Sequence, residues 1–148
     1  MVGRVPANAA ELVDLLRLGR IGETGFLGHP PKTLMQRTYG GQVLAQALTA
    51  AYGTVPAERM VHSLHAYFLR PGSVGSDITY LVDKVRDGGT FSNRRVTACQ
   101  AEEIFTMSAS FHAAEQGLAH NDPLPADLPD PDDGPPFPAG VRDRLGRH

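Results

Sequence analysis

The stretch RTYGGQVLAQALTAAYG, residues 37–53, predicts the element around which the rest of the fold is built. Its apolar side chains recur at the i, i+4, i+7 spacing of one helix face, as in Leu44, Leu48 and Ala51. We therefore expect an α-helix from Gly41 to Gly53. A second stripe with the same spacing is polar and consists of Gln42, Gln46 and Thr49.

Both ends of this helix carry glycine. Gly53 is typical of a left-handed C-cap. At the other end, Gly40 and Gly41 expose backbone N–H groups where the helix dipole favours negative charge. Glycine is equally expected there if the helix and the sheet come so close that a Cβ atom has no room. The sequence leaves both alternatives open.

After residue 56 the hydrophobic period changes from that of a helix to two, which predicts four strands. Glycine, proline and aspartate separate them, and we expect an antiparallel meander. Only the long helix can cover one face of this sheet, so the fold class is α+β, with a central helix wrapped by a curved antiparallel sheet. The strand segments are MVHSLHAYFLRPG (60–72), DITYLVDKVRDGG (77–89), TFSNRRVTACQ (90–100) and EIFTMSASFHA (103–113).

The two ends of the chain are less regular. Residues 7–22 predict an amphipathic helix capped by Asn8, with Glu11 in a capping box and Gly19 or Gly22 at its end. Residues 23–33 predict an edge strand followed by a loop. We expect an N-terminal helix in 1–20, a single domain in 21–114 and a linker or disordered tail, rich in proline and aspartate, in 115–148.

Composition excludes several classes of protein. The 148 residues fit one domain, and a net charge of −2 gives no electrostatic reason for binding nucleic acid or an anionic membrane. No apolar run reaches the roughly 18 residues that span a bilayer. The single cysteine, Cys99, cannot form an internal disulfide, and we expect it in the core. A soluble cytoplasmic protein is the expectation.

Four motifs in order resemble the first half of the acyl-CoA thioesterase II family, whose chains carry two fused hotdog repeats. They are YGGQVLAQALTAA, VHSLHAYFLRPG, RDGGTFSNRRVTACQ and IFTMSASFHA. The likeness covers about residues 21–131 and departs from the family at the short turn QAEEIF. The resemblance implies a hotdog fold, hydrolysis of fatty acyl-CoA to free acid and CoA, and no metal or organic cofactor.

The resemblance also implies that the catalytic Asp, Thr or Ser, and Gln belong to the second repeat, which these residues do not include. The central helix contains no acidic residue, and glutamine or threonine cannot take a proton from water at neutral pH. It therefore resembles the non-catalytic helix of the pair.

A base within this chain would have to be a histidine or a remote carboxylate such as Glu23. His62 and His65 lie on the first long strand, on opposite faces by parity, and His65 is the preferred catalytic candidate. Structural histidines are the alternative. No other ligand completes a metal site beside them.

Candidate substrate-binding groups are Gly40, Gly41 and Gln42 at the helix start, and Arg70 and Arg94 for the phosphates of CoA. The alternative for the arginines is solvent exposure or ion pairs with Asp83, Asp87 or Glu103.

Three functions follow from these residues. The first is an acyl-CoA thioesterase working as a homodimer. The second is a non-catalytic hotdog half that binds acyl-CoA or supports a separate catalytic repeat. An enoyl-CoA hydratase ranks last, because the central helix lacks the acid that this chemistry needs.

Overall fold

The computed structural model describes residues 6, 8–30, 36–130 and 133–134. The chain divides after Glu115 into a first unit that contains all the helices and strands of the described residues and a second unit from Gln116. The elements are α1 (Ala9–Leu15), β1 (Gly19–Ile21), β2 (Gly25–Gly28), α2 (Gly40–Tyr52), β3 (Arg59–Phe68), β4 (Ile78–Asp87), β5 (Phe91–Cys99) and β6 (Glu103–Ala113).

The six strands form one antiparallel sheet in the order β1-β2-β4-β5-β6-β3. β4, β5 and β6 form the expected meander. β3, however, pairs with β6 and not with β4, so the prediction of a four-stranded meander was wrong. Apolar pairs join β3 to β6, such as Val61 with Phe111 and Phe68 with Phe105, and their burial outweighs the proximity of β3 and β4 along the chain.

The N-terminal segment has the predicted cap but differs from its prediction in the end of the helix and in the place of the next strand. The cap is confirmed, because Asn8 Oδ1 accepts a hydrogen bond from the N–H of Glu11 at 3.0 Å. The helix nevertheless ends at Leu15, and residues 19–21 form β1. Gly22, at a φ of +68°, makes the turn into β2. β2 pairs with β1 on one side and with β4 on the other, so it is not the edge strand that the prolines indicated.

Helix α2 packs against one face of the sheet, as predicted, but the face that it buries is not the expected one. Leu44 and Leu48 are half-buried, whereas Gln42 and Gln46 of the predicted polar stripe are buried together with Val43, Ala47, Ala50 and Ala51.

Helix α2 begins one residue earlier than expected and ends at Tyr52. Gly53 has φ −63° and ψ −4°, so the predicted left-handed C-cap was wrong. The chain instead continues into a further turn, in which Thr54 N–H donates to the carbonyl of Ala51 at 3.0 Å.

The side of the sheet that packs against α2 is called the inner face here, and the opposite side the outer face. On β6 the predicted alternation is confirmed, since the odd-numbered residues Phe105 to Phe111 are buried on the inner face. The core joins these residues to α2, β2, β4 and β5. It consists of Phe26, Val43, Ala47, Ala50, Ala51, Ile78, Tyr80, Val82, Val96, Ala98, Ile104, Phe105, Met107, Ala109 and Phe111.

A β-bulge at His62 changes the faces of β3. Val61 is opposite Phe111, but Ser63 is already opposite Ser110, so two residues of β3 face one of β6. His62 Nε2 lies 2.9 Å from Ser110 Oγ, and His65 is opposite Ser108, both on the outer face. The prediction of opposite faces for the two histidines was wrong, because the extra residue shifts the parity.

The second unit has neither an α-helix nor a strand among its described residues. A turn at residues 126–127 and a contact of 3.4 Å between His120 Nε2 and Asp122 Oδ1 are its local features. The end of the predicted tail, residues 135–148, lies outside the described residues, as do residues 1–5 at the other end of the chain.

Candidate functional site

A cleft of about 350 Å³ opens at the start of α2, where β3 ends and β6 begins. This volume is at the lower end of the range for small-molecule sites. Its described lining combines an apolar wall with two guanidinium groups. The lining residues are Arg37, Thr38, Gly40, Val43, Phe68, Leu69, Arg70, Pro71, Gly72 and Ile104.

The structure supports the steric reason for glycine at the start of α2. A Cβ atom on Gly40 would lie 3.0 Å from Cε1 of Phe68, so glycine lets the helix start against this ring. The N-cap residue Tyr39 makes no side-chain hydrogen bond to the helix. Among the described residues, nothing accepts a hydrogen bond from the N–H of Gly40 or Gly41. As at other helix starts, these first N–H groups have no acceptor within the helix.

Two backbone contacts hold the cleft together. Thr38 N–H donates to the carbonyl of Gly72 at 2.9 Å, and Thr38 Oγ1 donates to that of Ser73 at 3.0 Å. They join the segment before α2 to the turn after β3. Arg70 lies in this turn, with Nε 3.2 Å from a Glu102 carboxylate oxygen and Nη1 donating to the carbonyl of Glu103 at 2.8 Å.

Three candidates for substrate binding, Gly41, Gln42 and Arg94, are not among the described lining residues of the cleft. Gln42 is buried, and its Nε2 donates to the carbonyl of His29 at 3.5 Å. The guanidinium of Arg94 is 1% exposed and reaches the carboxylate of Asp87 at 2.7 Å. Its other N–H groups donate to Thr54 Oγ1 and to the carbonyls of Thr54, Arg86 and Asn93, so all five are used inside the chain.

Arg94 belongs to a buried polar cluster around the β4–β5 turn. Ser92 Oγ donates to Asp87 at 2.6 Å, and Arg59 donates to Ser92 Oγ and to the carbonyls of Gly88 and Gly89. The hydrogen bond from Ser92 and then that from Arg94 lower the pKa of Asp87. The cluster fixes the turn that the sequence predicted at 87–89.

His65 lies on the outer face of the sheet, where its ring contacts that of Tyr67 with centroids 4.7 Å apart. His62 contacts the rings of Phe91 and His112 on the same face. The cleft is on the other side, because Phe68 and Val43 are inner-face residues. The structure therefore does not bring the preferred histidine together with the glycine pair.

Cys99 is half-buried instead of lying in the core. Burial, and then the charge of Glu103, raise the pKa of its thiol, which makes it a poor nucleophile. Within the described part of the chain, no three His, Cys, Asp or Glu side chains come together as metal ligands. The described helices include none that is long and apolar enough to cross a membrane.

Sequence reasoning missed the apolar wall of the cleft, formed by Val43, Phe68 and Ile104. These residues come from α2, β3 and β6, and only the non-local pairing of β3 with β6 brings them together. The available signal was the Pro71-Gly72 turn, which ends the strand just after Phe68 and so places this ring near the end of the strand.

Comparison with known proteins identifies the family to which this chain belongs. A family model described as the acyl-CoA thioesterase N-terminal domain matches residues 29–112. Acyl-CoA thioesterase 2 of Haemophilus influenzae is 40% identical over 115 residues, which are 77% of this chain and 40% of that relative. The chain thus spans less than half the length of this protein.

Solved structures agree with this match. The acyl-CoA thioesterase II TesB2 of Mycobacterium marinum is 44% identical, with a TM-score of 0.72 over 82% of this chain and 46% of the other. A protein of Alicyclobacillus acidocaldarius described as having a hot dog fold is 25% identical, with a TM-score of 0.66 over 85% of this chain and 48% of its own. The expected hotdog fold is confirmed, and the chain belongs to the acyl-CoA thioesterase family, whose N-terminal domain it contains.

Proposed function

We propose that this chain is the acyl-CoA-binding half of a thioesterase that hydrolyses fatty acyl-CoA to free fatty acid and CoA. In this proposal the cleft at the start of α2 holds the thioester, and a second hotdog domain supplies the base. One observation carries the proposal. The cleft offers N–H donors and guanidinium groups, yet none of its described lining residues carries a carboxylate or an imidazole.

The chemistry of thioester hydrolysis explains why this matters. A water molecule must lose a proton as it attacks, and the carbonyl oxygen gains negative charge. The N–H groups of Gly40 and Gly41 suit the second requirement. For the first, α2 offers only Gln42, Gln46 and Thr49, and the structure uses the buried Gln46 for its own contacts.

The test is equilibrium binding of decanoyl-CoA by the purified chain, followed by thiol release from the same substrate. A reaction without substrate corrects for the thiol of Cys99. We expect saturable binding and no release above the buffer rate, with release appearing when a separately produced second hotdog domain is added. If the chain alone hydrolyses the substrate and His65→Ala abolishes this activity, the base lies in this repeat and the proposed half-site is wrong.

Arg70 is the proposed contact for the CoA phosphates, since it lines the cleft at the end of an accessible turn. Arg70→Met should weaken binding of decanoyl-CoA about tenfold, the loss of about 1.4 kcal/mol expected for one charge-assisted contact. Binding of decanoyl-pantetheine, which lacks the nucleotide phosphates, should not change. Arg95→Met is the matched control, because Arg95 faces Asp83 on another part of the sheet. Equal losses for both ligands would contradict this role.

Two adjoining surfaces support association with a second hotdog domain, from another copy or from another chain. β3 is an edge strand of ten residues that pairs only with β6 among the described strands. Beside it, α2 presents a half-buried apolar stripe that includes Leu44, Leu48 and Tyr52. The Tyr52 hydroxyl accepts a hydrogen bond from Val61 N–H, so this stripe lies next to β3.

We expect the purified chain to form dimers and Leu48→Glu to weaken them at least tenfold, because a carboxylate would be buried in the joint surface. Leu81→Glu is the control, since Leu81 is exposed on the outer face of β4. Sedimentation velocity across a concentration series measures both. An unchanged dissociation constant for Leu48→Glu would remove this surface from the interface.

We also propose a cytoplasmic location. A single thiol that forms no internal disulfide is typical of proteins in reducing compartments. Fractionation of cells that express the full-length protein, with detection by antibody, tests this assignment, and recovery in an oxidising compartment would contradict it.

A further inference from the structure

Phe68 is the last residue of β3 and stands at the mouth of the cleft. Its ring is on the inner face and is nevertheless 58% exposed. The ring centroid lies 5.1 Å from that of Phe105, which is fully buried. The same ring also lies close to the start of α2, since a Cβ atom at position 40 would be 3.0 Å from its Cε1.

The residues behind this ring are apolar. Val43 and Ile104 line the cleft beside Phe68, and both belong to the core of the domain. Met107 follows Phe105 on the same face of β6, and its partner across the ladder is Ala66, a small residue. The ring of Phe68 thus separates the open cleft from an apolar interior.

We propose that Phe68 determines the length of the acyl chain that the cleft accepts. The inference rests on the proposed function, because it concerns the acyl part of the same ligand. In this arrangement the thioester lies at the N–H groups of Gly40 and Gly41, and the acyl chain runs along the face of the ring towards Val43 and Ile104. The ring of Phe68 limits how far the acyl chain can extend, and methylenes beyond that length remain in water.

This geometry predicts how affinity depends on chain length. Each methylene that leaves water raises affinity about fourfold. Affinity should therefore rise along a series of even-numbered acyl-CoA ligands and then level off at the length at which the pocket is filled. Removing the ring should increase the chain length at which affinity levels off, and enlarging the ring should decrease it. The shortest ligands should bind the native chain and its variants equally well.

The experiment measures the dissociation constants of saturated acyl-CoA ligands from two to sixteen carbons by competition with a fluorescent acyl-CoA. Phe68→Ala should move the levelling point to chains longer by at least two carbons. Phe68→Trp should move it to shorter chains. Phe68→Leu keeps an apolar contact with Phe105, so the series does not depend on a single variant remaining folded.

Tyr67 supplies the matched control. It is adjacent in sequence, is 61% exposed and lies on the outer face of the same strand, so Tyr67→Ala removes a ring of similar exposure away from the cleft. We expect Tyr67→Ala to leave the length profile unchanged. Circular dichroism melting curves for every variant show that the folded protein is being compared.

The outcomes separate this inference from the function on which it rests. If no acyl-CoA binds at any length, the proposed function is wrong and the inference is wrong with it. If acyl-CoA binds with a length-dependent affinity and every Phe68 variant retains the native profile, the function stands and Phe68 has only a packing role. A shift that Tyr67→Ala produces equally would also overturn the assignment.

Discussion

Asp87→Asn is expected to lower the free energy of unfolding by about 2–4 kcal/mol, although the substitution lies at the end of a strand and keeps the side-chain shape. The amide cannot compensate the charge of Arg94, whose guanidinium is almost fully buried. Breaking a buried pair from one side leaves the other charge uncompensated, which costs about 3–5 kcal/mol in buried sites. The expected loss of stability is smaller here because the Asp87 side chain is itself 50% exposed.

Urea denaturation measures this loss of stability. Asp83→Asn is the control, since Asp83 belongs to the same strand. Its partner Arg95 is 3.7 Å away and both side chains are well exposed, so the change should stay within about 0.5 kcal/mol. Equal losses for the two variants would show that the Asp87 cluster contributes no more than a surface pair.

The same cluster predicts a pH dependence. The hydrogen bonds from Ser92 and Arg94 lower the folded-state pKa of Asp87, so its contribution to stability is fully present above the unfolded-state value of about 4. That contribution is lost as the pH falls through the folded-state pKa. Melting temperatures of the native chain and of Asp87→Asn should therefore converge below pH 4. Parallel curves down to pH 2 would contradict this origin.

Gln46→Leu should cost about 3 kcal/mol, because it leaves two polar groups without partners in the interior. Gln46 is fully buried in the middle of α2, and its Nε2 donates to the carbonyl of Leu15 at 2.7 Å while its Oε1 accepts from Tyr80 at 2.8 Å. A buried group that loses its hydrogen bond costs about 1–3 kcal/mol. Burial also raises the pKa of Tyr80, so its hydroxyl remains a donor at all ordinary pH values.

A double-mutant cycle tests this account of Gln46. Tyr80→Phe in the Gln46→Leu background removes the orphaned hydroxyl, so the double variant should be more stable than the sum of the single losses predicts. Gln42→Leu is the control, because among the described residues Gln42 makes only a long hydrogen bond of 3.5 Å, and the change should cost under about 1 kcal/mol. Additive losses in the cycle would mean that the two side chains act independently.

Local patterns made part of this fold predictable. The capping box at Asn8, the apolar period of α2 and the alternation along β6 each depend on neighbours within a few residues. Because the residues that determine these features are close together in the sequence, the features could be predicted from it. The turn at Asp87 to Gly89 belongs to the same group, since a local backbone preference specifies it.

Features that depend on distant partners were not predictable in this way. The pairing of β3 with β6 joins residues 37 to 54 positions apart, and the bulge at His62 appears only when both strands are aligned. Burial of Arg94 contradicts the usual exposure of arginine, and it requires Asp87, Thr54 and two further carbonyls at once. The cleft depends on the same long-range contacts, which is why only Gly40 and Arg70 among the candidates line it.

Among the described strands β3 pairs only with β6, which has a consequence for amide hydrogen exchange. In an antiparallel pair, alternate N–H groups of an edge strand point away from its neighbour, and solvent can reach them. In the isolated chain, the amides of β3 that point away from β6 should therefore exchange faster than those of β5, which has a neighbour on both sides. Val61 is the exception, because its N–H donates to the hydroxyl of Tyr52. A domain that docks on this edge would slow those amides selectively, so exchange rates locate the contact without any assay of catalysis.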